Sequence, residues 1–155
     1  MAGKIDARLK ELNIALPEAP MPAANYVPFV RSGNLLFIAG QIPMEGGKPQ
    51  FVGKLGREFK IEDGQKAARL CALNVIAQVR AALGGDLDQV KRCVRVGGFV
   101  NSMPDFGDHP QVINGASDVI VQIFGDAGKH ARAAVGVAAL PRGVATEVEA
   151  IFEVA

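Results

Sequence analysis

Apolar residues recur every three or four positions in two long segments of the chain, which predicts two amphipathic helices. The first is predicted over about residues 64–83, with Asp63 as its cap and Gly84 just past its end. The second is predicted to begin near Pro110 and to stop at the glycines that start with Gly125. Their apolar faces consist of Ala68, Cys71, Ala72, Val75, Val79 and Leu83 in the first, and of Val112, Ile113, Ala116, Val119, Ile120, Ile123 and Phe124 in the second.

A shorter pattern near the start of the chain interleaves charged and apolar residues. It predicts a small helix over residues 5–12, followed by a proline-rich run at 16–22 that we expect to act as a tether or wrap. Residues 1–23 are therefore assigned to an N-terminal extension and residues 24–155 to the main domain.

The remaining apolar segments are short and rich in β-branched residues, as is typical of strands. Residues 27–30 and 35–39 flank a Ser-Gly-Asn turn and predict a β-hairpin. A third strand is predicted over residues 90–100, where the glycine pair 97–98 permits a bulge or a close backbone approach. Two more strands are predicted in residues 130–154, around a Pro/Gly turn.

The order of these elements, after the leading helix, is strand, strand, helix, strand, helix, strand, strand. It favours a single α+β domain in which two helices cover one face of a sheet. The other sheet face is then partly apolar and rich in glycine and alanine. Because self-association is the ordinary way to bury such a face, we expect a homo-oligomer.

Charge and composition narrow the possible partners. The chain has 17 basic and 16 acidic residues and a formal net charge of +1, so it has no electrostatic signature of a nucleic-acid-binding or membrane-binding protein. A small solute or a protein partner is expected instead. The two cysteines, Cys71 and Cys93, lie in apolar segments and are predicted to be buried thiols. With no recognisable signal peptide or membrane span, the protein is expected to be cytoplasmic.

Arg132 is the strongest candidate for a functional residue. It lies on a predicted strand among alanines, a glycine and valines, which are too small to bury a guanidinium. A fork-shaped cation on such a surface is expected to face a cavity or an interface, where it can bind a carboxylate through two hydrogen bonds.

Several short segments together resemble one known family. They are Gly-Gln-Ile-Pro at 40–43, Asn-Ser-Met-Pro-Asp-Phe at 101–106 with Asn114 beyond it, Ala-Arg at 131–132, Ala-Leu-Pro at 139–141 and Glu-Val-Glu-Ala at 147–150. Over about residues 24–154 the chain resembles the Rid (YjgF) family, whose archetype is a reactive intermediate deaminase that hydrolyses enamines and imines. The resemblance implies a chorismate-mutase-like α+β fold with a mixed sheet, a homotrimer around a central β-barrel, and ligand clefts between neighbouring subunits.

The resemblance also assigns roles to four residues. It places the family's carboxylate-binding arginine at Arg132, its helix asparagine at Asn114, its site tyrosine at Tyr26 and its strand acid at Glu147. Arg132 and Asn114 are thus expected to bind substrate, Glu147 to act in catalysis and Tyr26 to do both. Glu147 could accept a proton from the attacking water while Arg132 holds the carboxylate of a 2-imino acid.

Two departures from the archetype mark a divergent branch. Ala39 stands where a serine usually precedes Gly-Gln, and Ala134 stands where a cysteine follows the arginine by two residues. Neither lost group is needed to bind a carboxylate, so the anion site is still expected, whereas the substrate could differ from the archetype's.

Alternatives remain open for each of these residues. Arg132 could form a structural ion pair between subunits through Glu147 or Glu149, and Tyr26 could simply cover the edge of the core. Asn114 could be a helix-packing residue, and Glu147 could only partner a cation. At the level of function, a non-catalytic trimer that binds a small carboxylate is the main alternative. The family's label of endoribonuclease is a minor alternative, because the chain has no basic stripe.

No metal or cofactor is expected. His109 and His130 lack a third ligand at suitable spacing and are expected to be surface or capping residues. The paired acids Asp86 and Asp88 lie in a connector and are expected to cap helices.

Overall fold

The computed structural model describes residues 3–20 and 25–155, and this part of the chain is built around a five-stranded mixed sheet. Three α-helices and seven strands follow one another in the described ranges: α1 (Lys4–Glu11), β1 (Phe29–Ser32), β2 (Leu35–Gln41), β3 (Met44–Glu45), β4 (Lys48–Pro49), α2 (Ile61–Ala82), β5 (Val90–Asn101), α3 (His109–Phe124), β6 (Ala131–Val137) and β7 (Thr146–Val154). The strand order is β1-β2-β7-β5-β6, and β3 pairs only with β4. The pairing of β5 with β6 is parallel, and the other pairings are antiparallel.

Helices α2 and α3 pack together on one face of this sheet. In β7 every second residue is buried beneath them, including Val148 and Phe152, whereas Glu147 and Ile151 point to the opposite face. The prediction of an α+β domain with two helices on one sheet face is therefore confirmed. We call the opposite face, which the helices leave uncovered, the open face.

Three local details differ from the sequence-based predictions. Helix α2 begins at Ile61, three residues before the predicted start, and Asp63 caps it from inside the first turn by accepting the Lys60 backbone N–H (3.0 Å). The loop predicted before this helix contains the short β3–β4 hairpin.

The glycine pair of β5 does not form a bulge, so that prediction is wrong, whereas the predicted close approach is present. The register of β5 is regular through Gly97 and Gly98, and the irregular pairing lies between Val90 and Arg95. A Cβ on Gly98 would lie 2.6 Å from the Ile113 side chain of α3. The glycine therefore lets α3 approach the sheet closely.

The N-terminal helix is attached to the helix layer. The Asp88 carboxylate accepts the backbone N–H groups of Lys4 and Ile5, each at 2.8 Å, and Leu9 is buried in the core. Asp86 caps a short 3-10 turn by accepting the Asp88 N–H, so the predicted capping role of both acids is confirmed. The end of the predicted tether, and the boundary between residues 23 and 24, lie outside the described residues.

Candidate functional site

Arg132 lies on β6, at the edge of the sheet, and its guanidinium is held by α3. Its Nη1 donates to Asn114 Oδ1 (2.8 Å) and to Ser117 Oγ (3.1 Å), and its Nη2 donates to the Pro110 carbonyl (3.3 Å). Arg132 stands beside Val96 of β5, whose side chain is buried under the helices, so the guanidinium is on the helix side of the sheet. We call Arg132, Asn114 and Ser117 the arginine cluster.

Every hydrogen-bond acceptor of this guanidinium is electrically neutral. None of the four ion pairs found in residues 3–20 and 25–155 includes Arg132. These bonds engage Nη1 and Nη2, and among the described residues Nε–H has no hydrogen-bond acceptor. Nε and Nη2 together form one edge of the guanidinium plane. This edge has the geometry that a carboxylate binds with two parallel hydrogen bonds.

Glu147 lies on β7 against Gly40, at an irregularity in β2. Three steps along β2, from Ile38 to Gln41, oppose two steps along β7, so β2 bulges at this point. The Glu147 carboxylate occupies the space where a Cβ on residue 40 would lie. Burial raises the pKa of Glu147, and the nearby charge of Glu149 raises it further. We call Glu147 and Gly40 the glutamate corner.

Tyr26 is on the chain segment that borders the glutamate corner. The pairing of β1 with β2 continues to Pro28, whose carbonyl accepts the Ala39 N–H (2.9 Å), and Tyr26 lies two residues earlier with 54% of its surface exposed. More than half of this tyrosine is therefore accessible.

The four predicted residues do not all come together within one chain. Arg132 and Asn114 are in direct contact, as just described. Glu147 stands beside Phe99 of β5 on the open face, whereas Arg132 is on the helix side and one strand further away. The arginine cluster and the glutamate corner of one chain therefore lie on opposite sides of the sheet.

Sequence reasoning missed Ser117, next to Arg132, and assigned His130 only to the surface or to a cap. Ser117 donates or accepts a hydrogen bond with His130 Nε2 at 2.8 Å, and His130 Nδ1 lies 2.6 Å from the Gly128 carbonyl. The signal was available in the spacing, because Ser117 follows Asn114 by one helical turn and His130 precedes Arg132 by two residues.

The remaining titratable groups show no arrangement suited to a metal. Within the described ranges, no three His, Cys, Asp or Glu side chains are grouped closely enough to hold an ion. Cys71 and Cys93 are buried free thiols, as predicted, and burial raises the pKa of each to about 12. Among the helices of residues 3–20 and 25–155, none is both long and apolar enough to cross a bilayer.

Comparison with known proteins decides the family. The model of the YjgF/chorismate-mutase-like family, which carries the label endoribonuclease, matches residues 6–150. The chain belongs to the YjgF/Rid family. Its fold, with the mixed sheet and two covering helices, agrees with that assignment.

Similar proteins extend over almost the whole chain. Protein TCP17 of Trypanosoma cruzi is 50% identical over 153 residues, which cover 98% of this chain and 95% of that protein. The crystal structure of Atu1372 from Agrobacterium tumefaciens, a protein of unknown function, is 50% identical, with a TM-score of 0.91 over 97% of this chain and 92% of that one. A 2-iminobutanoate/2-iminopropanoate deaminase of Dermatophagoides farinae is 31% identical over 139 residues, covering 89% of this chain and 92% of that protein.

Proposed function

We propose that this YjgF/Rid protein hydrolyses small reactive 2-imino and enamine acids, releasing ammonia, in clefts between the subunits of a homotrimer. The observation that carries the proposal is the free edge of the Arg132 guanidinium, whose charge is balanced by no carboxylate among the described residues. The name of the Dermatophagoides farinae relative, a 2-imino acid deaminase, supports the same class of substrate.

Subunit association reconciles the separated residues. In a trimer whose subunits meet through the open face around a central β-barrel, the arginine cluster of one subunit and the glutamate corner of its neighbour form opposite walls of one cleft. The apolar side chains Val30, Phe37 and Val135 are 53%, 41% and 46% exposed on the open face, which supports its burial by association.

The proposed reaction gives each group a role. Arg132 and the amide of Asn114 hold the substrate carboxylate, which places the carbon of the C=N bond near Glu147. Water adds to this carbon as Glu147 accepts one of its protons and passes it to the imine nitrogen, which forms a carbinolamine; the raised pKa of Glu147 makes the carboxylate a stronger base. Glu147 then takes the proton of the new hydroxyl group and delivers it to the nitrogen as the C–N bond breaks, so that ammonia and a 2-oxo acid leave. The Tyr26 hydroxyl borders the bound substrate.

The test measures ammonia release from imines that an amino-acid oxidase generates in situ. Wild-type protein should accelerate the release, and Arg132→Ala should abolish the acceleration. Arg69→Ala, on the exposed surface of α2, is the control and should retain it. Equal release with and without wild-type protein would refute deaminase activity.

Two other results would assign the protein to the alternative functions. A rise in Tm with small carboxylates but no turnover indicates a trimer that only binds them. Cleavage of single-stranded RNA by the wild type, retained by Arg132→Ala, indicates the endoribonuclease function instead.

A further inference from the structure

A chain of hydrogen bonds runs from the Gly128 carbonyl to the Arg132 guanidinium. Gly128 O is 2.6 Å from His130 Nδ1, His130 Nε2 is 2.8 Å from Ser117 Oγ, and Ser117 Oγ is 3.1 Å from Arg132 Nη1. Gly128 belongs to the 3-10 turn that follows α3, and Ser117 to the middle of α3. His130 is the residue before β6, and Arg132 is on β6 itself. The chain therefore ties the strand that carries Arg132 to the helix that packs on it.

The chemistry of the acceptors fixes the protons along this chain. A carbonyl oxygen can only accept, so His130 Nδ1 carries the hydrogen and donates to Gly128. In the neutral imidazole, Nε2 is then an acceptor and receives the Ser117 hydroxyl proton. The lone pairs of Ser117 Oγ remain for the Arg132 N–H, so every member has a partner of the right kind.

Arg132 has little else to hold its side chain. On β6 the residues nearest to it in sequence are Ala131, Ala133 and Ala134. Side chains this small provide little packing from its own strand for a long, flexible arginine. Its orientation thus depends on the three hydrogen bonds to Asn114, Ser117 and Pro110.

We propose that Ser117 and His130 are positioning residues, which fix the Arg132 guanidinium so that its Nε and Nη2 edge faces the carboxylate of the ligand. This inference rests on the proposed function, because it assigns a purpose to that edge. His130 orients the Ser117 hydroxyl, and Ser117 then occupies Nη1, the nitrogen at the far side from the free edge. Neither residue needs to touch the substrate.

The structure offers a matched control for this pair. Ser102 and His109 also form a serine–histidine hydrogen bond, with 3.2 Å between Ser102 Oγ and His109 Nε2, but neither is bonded to Arg132. Substitutions in the two pairs remove the same chemical groups. Only those in the pair joined to Arg132 should affect the binding of an anion.

The binding test uses 2-oxobutanoate, a stable 2-oxo acid that carries the same carboxylate as a 2-imino acid. In calorimetric titrations, Ser117→Ala and His130→Phe should each weaken its Kd by roughly tenfold, the effect of one hydrogen bond to a charged group. Ser117→Thr, which keeps the hydroxyl, should restore binding to within about threefold, and Ser102→Ala should leave it unchanged. In turnover, KM should rise in the first two variants while kcat changes less.

A second measurement is independent of ligand and turnover. Nitrogen NMR of the free wild-type protein should show His130 protonated at Nδ1 and resolved Nη signals for Arg132. In Ser117→Ala, the Arg132 signals should merge as the guanidinium becomes free to rotate. A His130 protonated at Nε2 instead would overturn the inference.

These results separate the inference from the proposed function. If Ser117→Ala binds 2-oxobutanoate as tightly as the wild type does, the positioning role is refuted and the deaminase proposal is unaffected. A wild-type protein that neither binds 2-oxobutanoate nor releases ammonia would refute the deaminase proposal. The positioning of Arg132 would then be judged by the NMR signals alone, supported if Ser117→Ala merges them and refuted if it does not.

Discussion

Glu147 depends on a glycine for its place in the sheet. The β2 bulge and the missing side chain of Gly40 let its carboxylate fold down against the backbone, where it is half-buried. Burial and the charge of Glu149 both disfavour the ionised form of Glu147, so its negative charge is unfavourable for folding.

Glu147→Gln should therefore increase stability and remove activity. Because the pKa of Glu147 is raised in the native state, the stabilisation linked to its proton is present below the unfolded value of about 4.3 and is lost as pH rises through the raised pKa. The variant should have a higher Tm than the wild type at pH 7.5 and a similar Tm at pH 4. Its deaminase rate should fall by roughly a hundredfold or more.

Thermal unfolding at the two pH values checks this prediction, with Glu153→Gln on the same strand as control. A Glu147→Gln protein that is less stable than wild type at pH 7.5 would show that the carboxylate stabilises the fold.

At this scale, the sequence was informative about residues whose chemistry stands out from their surroundings. Arg132 was identified by its small neighbours, and its contact with Asn114 agrees with the family resemblance. Ser117 was not identified, and His130 was assigned to the surface or to a cap, because a hydroxyl and an imidazole are common on protein surfaces. Only the packing of α3 against β6 brings them to the guanidinium.

Helix α1 is held at its start by a side chain from another part of the chain. It has no capping side chain of its own, since Gly3 precedes it, and Asp88 supplies the acceptor for the N–H groups of Lys4 and Ile5. These two hydrogen bonds also hold the pKa of Asp88 below its usual value.

Acid should therefore release α1. Because the pKa of Asp88 is lowered in the native state, its stabilisation is present above the unfolded value of about 3.9 and is lost as pH falls through the lowered pKa. Asp88→Ala should show the same release at neutral pH, seen as faster amide exchange across α1. Asp105→Ala, at an exposed position, is the control, and unchanged exchange in Asp88→Ala would contradict the anchoring role.

The contact between α2 and α3 is equally dependent on one residue. A Cβ on Gly115 would overlap the backbone carbonyl oxygen of Gln65, so the two helices can approach this closely only at a glycine. No helical pattern of apolar residues reveals such a contact, because the pattern shows which face is buried but not how closely it packs.

Gly115→Ala should destabilise the protein, although alanine favours helices by about 1 kcal/mol over glycine. The overlap with Gln65 should outweigh this gain and lower the free energy of unfolding by roughly 1–3 kcal/mol. Urea denaturation measures the change, with Gly107→Ala as control, since a Cβ there would have no neighbour within 4 Å. An unchanged or higher stability in Gly115→Ala would show that the helices can separate without loss.

Helices and strands were predicted well because the spacing of apolar residues and the glycines that end each element are local features of the sequence. Both long helices and all five sheet strands lie close to their predicted positions. The β3–β4 hairpin was not predicted because its strands are only two residues long. The regular register of β5 at Gly97 and Gly98 was not predicted because it depends on pairing with β7, which lies some 50 residues away.

On the scale of the whole molecule, the sheet separates the two groups that the proposed reaction needs. The arginine cluster is on the helix side of β6, and the glutamate corner is on the open face of β7. The proposed site, which uses both, takes them from different subunits. The number of complete sites then depends on how subunits are combined.

Two inactive variants should therefore restore activity when their subunits are mixed. Arg132→Ala and Glu147→Gln chains are unfolded together and refolded in equal amounts. Each wall of a cleft then has a chance of about one half of carrying its intact residue, so roughly a quarter of the clefts should have both. The deaminase rate should recover to about a quarter of the wild-type value. Each variant refolded alone is the control, and no recovery in the mixture would place both groups in the same subunit.

The position of Arg132 and Glu147 on opposite sides of the sheet also has a genetic consequence. In a cell that carries two defective alleles, one lacking the arginine and the other the acid, the mixed assemblies would partly compensate for both lesions. The phenotype would then depend on which two alleles are combined. The activity of a homozygote for either allele would not predict the activity of the cell that carries both.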